Sequence, residues 1–259
     1  MKILVTNDDG VFAPGLKTLV KTLGKFARVT VAAPDREQSA IGTAVTLRHP
    51  VRVQQIDSLA PGVETYSVDG TPGDSVILAL AYLLNDDIDM VISGINQGAN
   101  VADDVLISGT VGAALQGYLH GFPAIAISVS AWENAYFNVA AELTAILAKR
   151  IKANSLPSGI FLNVNVPSRP APQIKGLAIT RLAHISHTNT LKEENEDREG
   201  YYRLVRQKID KPAKRNTDVW AIERDIISIT PLHINLANKP PRLVLEKLCH
   251  GLFSEIARH

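Results

Sequence analysis

The chain has 259 residues, 46% hydrophobic and 20% charged, enough for one large α/β domain or two modest ones and too apolar for wholesale disorder. Its 27 Lys and Arg against 26 Asp and Glu leave a formal net charge of +1, which lacks the electrostatic footprint of a protein that coats nucleic acid polymers; a small anionic ligand needs only a local site. The single cysteine, Cys249, excludes an internal disulfide and a Cys-rich zinc site, and it fits a reducing compartment.

Ile3-Leu4-Val5 predicts a short buried strand that breaks into a loop at Thr6-Asn7-Asp8-Asp9-Gly10. Pro14-Gly15 then precedes Leu16, Leu19, Val20 and Leu23, spaced for one helix face, with Gly24 as a C-cap. Val29 to Ala33 predicts a second strand closed by Pro34-Asp35, which completes the βαβ unit of an open parallel sheet. Val45 to Val53 and Thr65 to Val68, rich in β-branched residues, predict strands, and Asp74 to Leu84 an apolar helix. The strand at Met90-Val91-Ile92, the helix Val111 to His120, the strand Ala124 to Val129, the helix Glu133 to Lys152 and the strand Ile160 to Val166 follow. This alternation predicts a doubly wound, mostly parallel sheet. The chain start is too weakly apolar for a secretory signal, and the longest apolar run, Val76 to Leu84, falls far short of the roughly 18 residues of a membrane span. The expectation is a soluble, cytoplasmic protein without a membrane partner.

Beyond about Pro167 the texture changes. Ser168 to Pro172 is Pro-rich, Leu191 to Glu199 is mostly charged, and seven basic residues face two acidic ones between Arg198 and Arg215. Tyr201 to Ile209 and Ile226 to Thr230 predict strands. An α/β core over residues 1–167 with a less regular extension over residues 168–259 is expected, in a single domain.

Open α/β sheets bind ligands outside the carboxyl ends of their strands. Asn7, Asp8, Asp9 and Gly10 follow the first strand; Asp35, Arg36 and Ser39 the second; Ser93, Asn96, Gln97 and Asn100 the strand at Met90. Each loop offers oxygen. Two adjacent carboxylates repel and resist leaving water; a hard divalent cation such as Mg²⁺ or Mn²⁺ offsets both penalties. A solvated turn with a helix N-cap is the plainer use of the same residues. Ser108-Gly109-Thr110 opens a helix whose free N–H groups suit a phosphate, or it caps and packs that helix.

Sharper motifs fail. Gly10 to Thr18 follows a strand, but Leu16 displaces the P-loop lysine by one place and Pro14 removes an N–H. No GxGxxG occurs. Asn7 stands where an aspartyl-phosphatase needs its nucleophile, and an amide forms no acyl phosphate. His184 and His187 have zinc-like spacing without a nearby carboxylate in sequence and read as loop residues.

Together these residues resemble the SurE survival-protein nucleotidases. The resemblance rests on Val5 to Val11 with Ala13-Pro14-Gly15, Ala33 to Ser39, Gly70-Thr71-Pro72 with Asp74, and Ser93 to Asn96 with Gly98 and Asn100. Ser108 to Ala114, Thr217 to Ala221 and Ile229 to Leu232 complete it. It implies a Rossmann-like fold and a metal-dependent phosphomonoesterase acting on nucleoside 5′- and 3′-monophosphates and on short polyphosphate. It also implies a homodimer or homotetramer built through an exchanged C-terminal arm. Carried over by position, one Mg²⁺ or Mn²⁺ per subunit would be held by Asp8, Asp9, Ser39 and Asn96, with Asp8 and Asp9 catalytic. Asn96, Ser108, Gly109 and Thr110 would lie beside the substrate phosphate. Ala40, Ala102 and Asn216 stand where the family usually has Gly, Ser75 where it usually has Cys, and Ile107 where it often has Tyr.

The expected chemistry is attack of a metal-activated water on phosphorus, which asks mainly for positioning and charge stabilisation. A non-catalytic nucleotide- or anion-binding protein could use the same groups. A nucleotide-dependent ligase or kinase is disfavoured by the failed P-loop.

Overall fold

The computed structural model describes residues 1–84, 87–131, 133–153, 159–184, 187–193, 202–208 and 212–234. Cys249 and the end of the predicted extension lie outside them. In chain order the elements are β1 (Lys2–Thr6), α1 (Pro14–Leu23), β2 (Arg28–Pro34), β3 (Val53–Ile56), β4 (Glu64–Val68) and α2 (Pro72–Leu78), the last running into a π-helical turn at Ala79–Leu84. Then come β5 (Met90–Gln97), a 3₁₀ turn at Ala102–Leu106, α3 (Gly109–Leu119), β6 (Ala124–Ser130), α4 (Phe137–Ala153), β7 (Phe161–Pro167) and β8 (Gly176–Ile179). The hairpin strands β9 (His187–Glu193) and β10 (Tyr202–Lys208), helix α5 (Asp218–Ile222) and β11 (Ile226–Pro231) close the series.

Nine strands form one open sheet in the order β3-β4-β2-β1-β5-β6-β7-β11-β8. The pairs from β4 to β7 are parallel, while β3 on β4 and β11 on β7 are antiparallel. Both faces are covered, so the central strands are apolar throughout instead of alternating with polar residues. Ile3 and Val5 of β1 join the cluster under α1 and α4, and Leu4 between them joins the cluster under α2. Val29 and Val31 against Ala32, and Met90 and Ile92 against Val91, repeat that division, as the two-residue period of a strand requires. Helix α1 packs on α4 and α2 on α3. The expected doubly wound, mostly parallel α/β fold is therefore present.

Three segments differ from expectation. Val45 to Arg52 forms no strand: the amide and hydroxyl of Thr46 both donate to the Asp74 carboxylate, at 2.8 and 2.6 Å, and Thr71 donates its hydroxyl to the Ala44 carbonyl. The polar N-terminus of α2 thus takes the groups a ladder would have used. Helix α4 begins at Phe137 instead of Glu133, because Asn134 is left-handed (φ +51°) and the Tyr136 amide donates to the Ser168 hydroxyl. Strand β8 is short and largely exposed, so it carries no hydrophobic period to read.

Candidate active site

From β1 the chain builds outward through β2 and β4 on one side and then crosses to β5 on the other, so the strand order reverses between β1 and β5, which themselves run parallel. The loops beyond these two strands form the crevice such folds use for ligands. Past Thr6, Asn7 Nδ2 donates to the Gly10 carbonyl at 2.8 Å, closing a turn in which Gly10 adopts φ +97°, a conformation L side chains rarely take. The Gln38 amide donates to the Asp8 carbonyl at 2.7 Å, drawing the loop after β2 against this turn.

Asp8 is only 4% exposed. Its Oδ1 accepts the Thr110 hydroxyl, and the Thr110 amide also faces its carboxylate. This requires the start of α3 to lie almost on Asp8. A Cβ at Gly109 would stand 2.7 Å from Asp8 Cβ, nearer than atoms pack. Asp9 Oδ2 accepts the Gln97 amide at 3.2 Å, tying the turn to the end of β5. Burial pushes both carboxyls up; the Asp8 charge adds to the effect at Asp9, raising it to about 7, and Glu37 adds to both. Among the described residues no cation acts on either carboxylate.

A cavity of about 630 Å³ opens here, lined by Asp8, Ser39, Asn96, Asn100, Ile107 and Ser108 among others. Ser39 donates its hydroxyl to Glu37. Asn96 Nδ2 donates to the Gly98 carbonyl at 2.7 Å, an assignment that turns its carbonyl oxygen away from that bond. Ser108 caps α3, accepting from the Val111 amide at 3.1 Å. Asp8, Ser39, Asn96 and Ser108 thus meet at one cavity, and Asp9 joins them through Gln97. Gly109 and Thr110 are buried behind Ser108, with the Thr110 hydroxyl and amide turned to Asp8.

A buried carboxylate and a half-buried one next to it, with no cation among the described residues acting on either and with a hydroxyl and an amide oxygen at the same cavity, suit a hard divalent ion. Among the described residues there is no group of three or more His, Cys, Asp or Glu side chains arranged to hold a metal, so a site here would rely on mixed oxygen donors. His184 is almost fully exposed, 3.9 Å from Asp103.

Glu37 and Asp218 lie in stretches that carry the family resemblance but had no role there, and Asn163 and Asn165 were not singled out from the sequence. The two asparagines carried a signal: they alternate within an otherwise apolar strand, so both point to one face, and both are fully buried.

The fold and site define a Rossmann-like α/β protein with an acidic oxygen-lined cavity at its switch point. A family model described as Survival protein SurE matches residues 3–189. A 5′-nucleotidase SurE of Dehalococcoides mccartyi is 48% identical over 256 residues, covering 98% of this chain and 97% of that protein. A 5′-nucleotidase SurE of Moorella thermoacetica is 44% identical over 239 residues, covering 92% of each. The crystal structure of the SurE protein from Aquifex aeolicus is similar with a TM-score of 0.82 at 33% identity, over 96% of this chain and 99% of that one. The chain belongs to the SurE survival-protein family.

Proposed function

We propose that this chain is a 5′-nucleotidase that hydrolyses nucleoside 5′-monophosphates to nucleoside and phosphate in the cavity at the β1/β5 switch point. The observation that carries this reading is the Asp8–Asp9 pair, on which no cation among the described residues acts: Asp8 is buried and lines a cavity large enough for a nucleotide, and Asp9 is half-buried next to it and bonded to the Gln97 amide of that cavity's lining. The relatives named 5′-nucleotidase SurE support it over nearly the whole chain.

Asp8, Asp9, Ser39 and Asn96 would hold one Mg²⁺ or Mn²⁺. When bound, such an ion lowers the pKa of a water, neutralises phosphate charge and aligns the two. Thr110 fixes Asp8 in one orientation. The end of α3, capped by Ser108, presents the positive end of its dipole toward the phosphate, with Asn96 across from it. Water oxygen bonds to phosphorus as the ester P–O bond breaks. The water's proton passes to a carboxylate of the pair or to solvent, and the leaving nucleoside oxygen gains one.

Activity on 3′-monophosphates and short polyphosphate belongs to the same proposal, as do a cytoplasmic setting and a homodimer or homotetramer joined through the C-terminal arm. Phosphate release measured across 5′- and 3′-monophosphates and tripolyphosphate, with several divalent ions, tests the chemistry. Turnover is expected with AMP. Binding of AMP without phosphate release under every ion would favour a non-catalytic nucleotide-binding protein instead.

A further inference from the structure

One wall of the cavity is the segment from Gly98 to Ser108 that joins β5 to α3, and its backbone is held by buried polar side chains distant in sequence. The Asn100 amide donates to Asn165 Oδ1 at 2.8 Å. Its carbonyl accepts from both Asn163 Nδ2 and Asn165 Nδ2, at 2.8 and 2.9 Å, and its own Nδ2 donates to the Ser128 hydroxyl at 3.0 Å. Two residues on, the Ala102 amide donates to Asp218 Oδ2 at 2.7 Å. The other oxygen, Oδ1, accepts the amides of Ala183 and Val219 at 2.9 and 2.8 Å.

Asp218 is fully buried, and leaving a carboxylate out of water is unfavourable unless its lone pairs are used. Here three backbone N–H groups use them. An asparagine has one acceptor oxygen, so it must release either Ala102 or the Ala183–Val219 pair and face the other with an NH₂ donor. Ala102 is also left-handed, at φ +53°, which L residues avoid unless the surroundings enforce it. Asn163 Oδ1 is buried with no hydrogen-bond partner among the described residues, so this side chain carries the cost of an unsatisfied acceptor while its Nδ2 serves the wall.

We propose that Asp218, with Asn163 and Asn165, acts as a set of positioning residues for the nucleotide: they fix the 98–108 wall so that its side chains meet the substrate in one arrangement. The inference rests on the nucleotidase reading above. Because Asp8, Asp9 and Ser39 stand on other segments and Asn96 belongs to strand β5, ahead of the 98–108 wall, loss of the clamp loosens substrate binding and leaves the metal requirement in place.

The test compares the full-length wild type with Asp218→Asn, Asn163→Ala and, as a control, Thr180→Val. Thr180 is buried and its hydroxyl is bonded to Ser228 and Thr230, so its side chain makes none of the bonds that hold the wall. At a temperature where each is folded by circular dichroism, KM for AMP is expected to rise about tenfold in Asp218→Asn and about threefold in Asn163→Ala. The Mn²⁺ activation constant stays the same, and Thr180→Val keeps the wild-type KM. If Asp218→Asn does not fold, Asn163→Ala carries the test. A wild-type KM in the folded clamp variants, or an equal rise in Thr180→Val at matched loss of melting temperature, overturns the inference. The Kd for AMP by calorimetry reads the same ratios without turnover, so an inactive wild type would refute the nucleotidase reading while the wall is still tested.

Discussion

Asp9 is half-buried and tied to the cavity lining through the Gln97 amide, with its carboxyl raised to about 7, by burial first and by the Asp8 charge second. In the metal-free protein this makes stability depend on pH. The folded Asp9 holds a proton that the unfolded chain, whose Asp9 titrates near the ordinary 3.8, has already released. Its contribution is therefore fully present below pH 4 and is lost as pH rises through 7, with an upper bound of about 4 kcal/mol. Asp9→Asn removes the ionising group. In EDTA it is expected to unfold at higher urea than wild type at pH 8, with the difference narrowing toward pH 4. The same variant should lose phosphate release by about two orders of magnitude or more with Mn²⁺ present. Equal urea midpoints at both pH values, or turnover within a few-fold of wild type, would remove Asp9 from the site. That the loops after β1, β2 and β5 meet at one crevice was readable because each follows an apolar strand in a fold whose loops collect ligands there; the choice of Asp8, Asp9, Ser39 and Asn96 within those loops came from the family resemblance. Thr110 was expected beside the substrate phosphate, but its bond to Asp8, 102 residues away, was not readable, nor was that of Asp218 to Ala102, 116 residues away; each looks in sequence like an ordinary helix-opening residue, and only the chain's return gives it that partner. Ala40, Ala102 and Asn216, seen in the sequence as departures from glycine, all prove left-handed.

Helix α3 shows how an element serves the site. Its N-terminal turn has to approach Asp8 closely enough for Thr110 to reach the carboxylate, and only a residue without a Cβ fits at Gly109. Gly109→Ala would force the helix or Asp8 to move. We expect a loss of about 1–3 kcal/mol in urea unfolding, the usual cost of overpacking, with kcat for AMP reduced about tenfold or more. Activity equal to wild type would show that the Asp8–helix spacing is not critical. The central elements were legible because their apolar runs and helical periods are strong. The segment from Val45 was not: its β-branched residues suit a strand, but the capping box of Thr71 and Asp74 also captures Thr46, a tertiary demand that outweighs local propensity.

At the scale of the whole molecule, the chain adds the β11–β8 pair to one edge of a doubly wound sheet and forms a separate two-stranded sheet from β9 and β10. Strand β8 leaves Leu177 and Ile179 exposed at the sheet edge, 50% and 67%. Light scattering at micromolar concentration is expected to give at least twice the 28.0 kDa of one chain; a mass of one chain would contradict assembly through the arm. The sequence signalled a change of texture near Pro167 but not that β11 would return to pair antiparallel with β7, since nothing local encodes that partner.

The central claim is that the Asp8–Asp9 pair serves divalent-ion-dependent hydrolysis of a nucleotide phosphate ester. Its most direct test is phosphate release from AMP by protein stripped with EDTA and then titrated with Mn²⁺. No release after stripping and restored turnover on adding Mn²⁺ are expected, with both responses lost in Asp9→Asn. Undiminished hydrolysis after exhaustive chelation would contradict the account.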